Sequence, residues 1–168
     1  MPPPKLTKSA PSSPLTEGDV LTTQIIHLLQ EDGRMPYSTI ASQIGVSEGT
    51  VRNRVRQLLD DQFITIQAEA LPAAFGYHVN TVTFIKVKPS SNIDVVAAQF
   101  LPVEEVYYIV QMRGRFDLGL AAFHRSTEDY RLFLDKHCYN NDAIAELETT
   151  LNLKIHKFNT RWRFAPDT

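Results

Sequence analysis

The 168-residue chain is short of cysteine, of basic excess and of long apolar runs, and each shortage removes a class of protein. One cysteine, Cys138, cannot close an intramolecular disulfide, so stability must come from a core, and the chain suits a reducing compartment. No apolar run approaches the ~20 residues needed to span a bilayer, and there is no signal-like apolar segment. The chain therefore reads as cytoplasmic, with no membrane partner. A net charge of -2 excludes a globally basic nucleic-acid binder, so any contact with DNA must come from a local patch. His78, His124, His137 and His156 lack metal-ligand spacing. Glu104-Glu105 reads as a solvated turn, and His137-Cys138 adjacency does not make a nucleophile and base. Neither a metal, a cofactor nor a catalytic residue is expected.

What is present centres on residues 37–61, YSTIASQIGVSEGTVRNRVRQLLDD. A helical segment from Tyr37 to Ile44 stops at Gly45, where positive φ costs nothing without a Cβ. A second begins after Ser47, whose hydroxyl suits an N-cap. Helix, glycine turn, helix is the layout of a DNA-reading helix-turn-helix. In the second helix Val51, Val55, Leu58 and Leu59 form an apolar stripe. The opposite side carries Gly49, Thr50, Asn53, Arg56 and Gln57, with Arg52 and Arg54 flanking. Asn and Gln can pair with adenine, Arg with guanine, and the Thr methyl can touch thymine. The flanking arginines suit phosphates, which fix register without reading sequence. Ser47 to Leu59 holds three Arg against one Glu, the local patch that the global charge denies.

Before this unit, residues 1–14 are Pro- and Ser-rich and predict a disordered tail. Thr16 with Asp19 reads as a capping box, with Leu15 and Val20 as a hydrophobic staple. It opens a helix with Leu21, Ile25, Leu28 and Leu29 on one face, ending near Asp32-Gly33. Three one-sided helices in residues 15–66 predict a trihelical bundle. After it, Phe63, Ile64 and Ile66 predict a short strand or wing, and residues 67–78 a linker punctuated by Pro72 and Gly76.

From Val79 the period becomes two. Val79 to Lys88 reads as a strand; Asn92 caps a helix with Ile93, Val95, Val96 and Phe100. Strands follow at Val106 to Met112 and Leu118 to Phe123. Ser126 and Asp129 open a helix in which Tyr130, Phe133, Leu134 and His137 share a face. Leu147, Thr149, Leu151, Leu153 and Ile155 predict a long last strand. The order is βαββαβ over residues 79–158, a ferredoxin-like unit whose open sheet face predicts dimerisation. Residues 159–168 form a tail. The fold class is α+β.

This combination resembles the Lrp/AsnC (leucine-responsive, feast/famine) transcription regulators over Leu15 to Lys157. Three strings carry the likeness: QEDGR from Gln30, IASQIGVSEGTVRNRVRQLLDDQFI from Ile40, and RGRFDLGLAAF from Arg113, with its Gly-x-x-Asp between two strands. The resemblance implies a winged helix-turn-helix plus a ligand-sensing (RAM) domain and a homodimer, commonly assembled into a tetramer or octamer. It implies binding of double-stranded DNA at a palindromic operator and modulation by an amino acid or similar small effector. Carried over residue by residue, Met112, Gly114, Arg115 and Asp117 lie near the effector pocket, with Arg for a carboxylate and Asp117 for an ammonium. A tight turn capped by Asp117 is the alternative for that loop. Two other functions stay open on sequence: an effector-independent architectural DNA binder, and a sirohaem-decarboxylase-like enzyme of the same architecture.

Overall fold

The computed structural model describes residues 19–157, in two compact units: residues 19–69, and Ala70–Lys157. The first is built from α1 (Val20–Glu31), α2 (Tyr37–Ile44) and α3 (Glu48–Asp60). α1 begins later than the capping box suggested. Asp19 itself is the N-cap, its carboxylate accepting from the Thr22 amide at 3.0 Å and the Thr22 hydroxyl at 2.7 Å. Leu15 and Thr16 lie outside the described residues, and Val20 is 53% exposed rather than stapled. The three helices bury Ile25, Leu29, Ile40, Ala41, Val51 and Val55 in a common core.

Helix ends obey local chemistry. α2 closes at Gly45 in the left-handed region, φ 74°, and the Val46 amide donates back to the Ala41 carbonyl at 3.1 Å. α3 closes the same way, the Gln62 amide donating to Leu59 and the Phe63 amide to Leu58, but with Gln62 at φ 60° where glycine is usual. Replacing Gln62 with glycine is therefore expected to stabilise this unit by about 0.5 kcal/mol, the left-handed cost of a side chain less the extra entropy glycine loses. A melting temperature unchanged or lowered in Gln62→Gly would show that this end of α3 is unstrained.

The expected wing is not a strand. No strand occurs between α3 and residue 79, because the Phe63 and Ile64 amides are both spent on the Leu58 carbonyl. Ile64 packs into the trihelical core instead.

The second unit opens with a 3₁₀ turn, Pro72–Phe75, inside the expected linker. Then follow β1 (Val79–Val87), α4 (Ile93–Phe100), β2 (Val106–Gln111), β3 (Leu118–His124), α5 (Thr127–Leu134) and β4 (Ile144–Leu151). The sheet order is β2-β3-β1-β4, every neighbouring pair antiparallel. Alternation on β1 separates two faces. Thr81, Thr83, Ile85 and Val87 are buried, and Ile85 and Val87 pack with Val96 and Phe100 of α4 and Phe133 and Leu134 of α5. Asn80, Val82, Phe84 and Lys86 look the other way, onto a sheet face bearing Gly119, Ala121 and Phe123 of β3. The last strand differs from expectation: it starts at Ile144 and stops at Leu151, and Leu153 is 90% exposed. Its pairing with β1 ends at Thr81 and Leu151, after which the Asn152 amide donates to the Asn80 carbonyl at 2.8 Å.

Candidate nucleic-acid interface and sensing loop

On α3 the burial pattern fixes which side is free. Val51, Val55 and Leu58 are buried, so at ~100° per residue Gly49, Asn53 and Arg56 stand opposite them, with Thr50 and Gln57 beside. All five are exposed. Ser47 caps the helix as expected, its Oγ accepting from the Thr50 amide at 3.1 Å and lying 2.8 Å from Thr50 Oγ1. Leu59, expected on the apolar stripe, is 39% exposed and lines a shallow depression with Tyr37, Arg52, Arg56 and Asp60. One residue on from Leu58, it is turned about 100° further round the helix, off the centre of the buried stripe and toward Tyr37 of α2.

The three arginines are not alike. Arg52 is ion-paired with Glu48 one turn earlier. Arg54 reaches Asp19 at the start of α1, 3.3 Å away. The Thr22 hydroxyl and amide hold the Asp19 carboxyl below the ordinary carboxylate range, with Arg54 adding to the effect. Arg54 therefore serves the bundle, and its expected role as a phosphate contact loses its free charge. Among the described residues Arg56, Asn53 and Gln57 carry no ion pair or side-chain hydrogen bond.

Between β2 and β3 the Gly-x-x-Asp loop is drawn tightly into the sheet. Asp117 Oδ1 accepts from Lys86 Nζ at 2.9 Å and Oδ2 from the Val87 amide at 2.9 Å. Its own amide donates to the Ile85 carbonyl at 2.9 Å, and its carbonyl accepts from the Met112 amide at 2.8 Å. The Lys86 ammonium, then the Val87 N–H, keeps the Asp117 carboxyl below its usual range. Arg115 is exposed, paired with Glu146 and with Glu148 at 3.3 Å, and its guanidinium lies 4.9 Å from the Phe116 ring centroid. Phe116 in turn stacks on Phe84 at 5.7 Å. Met112 covers Gly119: a Cβ there would sit 3.3 Å from Met112 Cε and 3.1 Å from Val110 Cγ1. Gly114 has open space around it. Met112, Arg115 and Asp117 thus share one end of the open sheet face, with a protein donor already on each Asp117 oxygen.

Two family models cover this architecture: the AsnC-type helix-turn-helix domain over residues 19–59 and the Lrp/AsnC ligand binding domain over residues 81–162. The chain belongs to the Lrp/AsnC family. It is a DNA-binding transcriptional regulator of that family. The HTH-type transcriptional regulator FL11 of Pyrococcus furiosus is 27% identical over 143 residues, covering 84% of this chain and 93% of its own. Ptr1 of Methanocaldococcus jannaschii, named likewise, is 27% identical over 140 residues, 83% of this chain and 94% of its own. These relatives are named as regulators, in keeping with a chain that is not an enzyme. Among solved structures, E. coli AsnC superposes with a TM-score of 0.80 at 24% identity, over 85% of this chain and 97% of that one. A Neisseria meningitidis regulator in complex with L-Met gives 0.78 at 20%, over 84% and 94%. Both show the fold.

Within this Lrp/AsnC frame, sequence reasoning missed the ion pairs made by Asp19, Glu48, Lys86, Glu146 and Glu148. The Glu48–Arg52 pair was readable as i, i+4 spacing. Lys86 and Asp117, 31 positions apart, gave no such signal. Among the described residues no helix is long and apolar enough to cross a membrane, and no cluster of metal-ligating side chains occurs.

Proposed function

We propose that this regulator reads an operator through α3, as a dimer paired on the open sheet face, and that an amino acid bound at the Gly-x-x-Asp loop shifts its assembly or DNA affinity. The observation that carries the reading is the free face of α3. Asn53, Arg56 and Gln57 are exposed, without side-chain partners among the described residues and on the side of α3 away from the buried stripe, which is what bidentate contact with base edges in a major groove requires. Ser47, Gly49 and Thr50 at the helix start bring backbone and short side chains close to the groove, and Arg52 lies on the flank.

Two such helices in a symmetric dimer would enter successive major grooves about 34 Å apart, or a multiple of that, on a palindromic site. The open face suits the pairing: Val82, Phe84, Ala121 and Val110 form its middle, and Tyr108 remains 55% exposed. Larger rings would be built from such dimers. For the effector, Arg115 and the loop amides beside Gly114 can take a carboxylate, and Met112, Phe84 and Phe116 offer apolar contact. Asp117 shapes that loop through Lys86 and the Val87 amide, and a second lone pair on each of its oxygens is left for a ligand ammonium. Solved relatives described as complexes with L-Met and L-methionine support an amino acid as the class.

The test is a gel-shift titration on upstream DNA at two salt concentrations, with and without a panel of amino acids. Salt-sensitive, sequence-preferring binding altered by one amino acid is expected. Binding indifferent to the whole panel would replace sensing with an architectural role. Absence of sequence preference would remove α3 as the reader.

A further inference from the structure

The geometry points to Glu48 and Arg52 acting together as a reader of one G·C base pair in each half-site, an inference that rests on α3 entering the major groove. Glu48 is the first residue of α3, and the N-terminal residues of a recognition helix are the ones that meet base edges. An acidic side chain there is at first sight misplaced. It faces a polyanion, and nothing in the fold forces it: Glu48 is 46% exposed and contacts neither of the other helices through any hydrogen bond or ion pair among the described residues. Its partner is Arg52, one helical turn on and 54% exposed.

Complementarity gives the pair a purpose. The major-groove edge of G·C presents, in line, guanine N7 and O6 as acceptors and cytosine N4–H₂ as a donor. The ion pair joins Arg52 Nη2 to Glu48 Oε1, which leaves Arg52 Nη1, the second Nη2 hydrogen and Glu48 Oε2 without a partner among the described residues. Nη1 and that remaining Nη2 hydrogen share one edge of the guanidinium and donate as a fork, and Oε2 accepts, the reverse of the base-pair edge. Arg52 donates to guanine while Glu48 accepts from the cytosine amino group, and the ion pair keeps the guanidinium aimed along the edge. Arg52 thereby moves from backbone contact to base reading. An A·T pair in the same place puts the adenine amino group against the guanidinium and thymine O4, an acceptor, against the carboxylate, so it is rejected at both ends.

The competing account is that Glu48 only stabilises α3, as a negative side chain near a helix N-terminus does. The two accounts separate in a selection of full-length protein against duplexes with randomised positions, followed by anisotropy titration of the selected duplex and of its single-position variants. Wild type is expected to select G·C at one position per half-site, preferred about tenfold over A·T. Glu48→Ala and Arg52→Ala should each abolish the preference at that position and leave the others intact, and Glu48→Gln should weaken it. If Glu48→Ala instead tightens binding to every duplex alike and keeps all base preferences, the pair reads nothing. Circular dichroism melting of each variant checks that α3 is retained, and Glu48→Gln, which keeps the side-chain shape, covers a failure of the alanine variant to fold. Absence of any sequence preference in wild type overturns the α3 reading itself, an outcome distinct from loss of this one position.

Discussion

Arg56→Ala is expected to cost about 1–3 kcal/mol per half-site in binding to the selected operator, and so about 2–6 kcal/mol for a dimer on both. Arg56 stands on the face of α3 opposite Val51 and Val55, exposed and free of any ion pair among the described residues. On the proposed reading it would bring an unspent fork of donors to the groove, with no acid to leave behind on binding. Arg54→Ala is the control. Arg54 is already committed to Asp19, so its loss should change operator affinity little and should lower stability instead. Anisotropy titrations of both variants, on specific and scrambled duplexes, separate the roles. Equal losses for the two, or a larger loss for Arg54→Ala, would mean that the groove-facing side of α3 has been assigned to the wrong arc. Asn53→Ala should relax base preference at a different position from Arg56→Ala, since the two side chains lie almost a full turn apart.

Asp117→Ala is the second large effect, and it acts on stability. Removing the carboxylate strands the amide of buried Val87 and leaves Lys86 without its partner, a loss of about 2 kcal/mol for charge-assisted hydrogen bonds of this kind. Its pH dependence is distinctive. The Lys86 ammonium holds the carboxyl below its ordinary value of 3.8, so its contribution is complete above that value and disappears as pH falls through the lower folded one. Chemical denaturation of wild type and Asp117→Ala should therefore converge in strong acid and differ most near neutrality. Both proteins should share an earlier decline. Burial holds the His124 imidazole neutral, below its ordinary 6.5, against the opposing pull of Glu105 and Asp129. Stability due to that neutral ring is lost as pH drops below the ordinary value toward the folded one. A stability gap between the two proteins that persists unchanged in acid would remove the Lys86–Asp117 contact from the account.

Much of this was legible in the sequence because it is local. Gly45 and Ser47 announced their own geometry, since a left-handed residue and a side-chain cap are decided within four positions. The period of two from Val79 and the caps at Asn92 and Ser126 placed most of the second unit. Non-local chemistry was the part that could not be read. Asp117 could be read as a ligand for an ammonium, but not as the partner that the fold gives Lys86 and the Val87 amide. Arg54 looked like a phosphate contact until α1 presented Asp19. The wing failed for a related reason: alternation in Phe63, Ile64 and Ile66 marks a residue pattern suited to a strand, but a strand exists only if another strand's amides and carbonyls are there to receive it.

The tie between Arg54 and Asp19 has a consequence for protein engineering. A recognition helix invites use as a cassette, with residues 47–60 moved onto another trihelical scaffold to carry their specificity along. Here the cassette is incomplete. A recipient with no acid at the position of Asp19 would release the Arg54 guanidinium at the margin of the DNA-facing side, where it would strengthen binding to every sequence alike. The graft would gain grip and lose selectivity, unless Asp19 travelled with it.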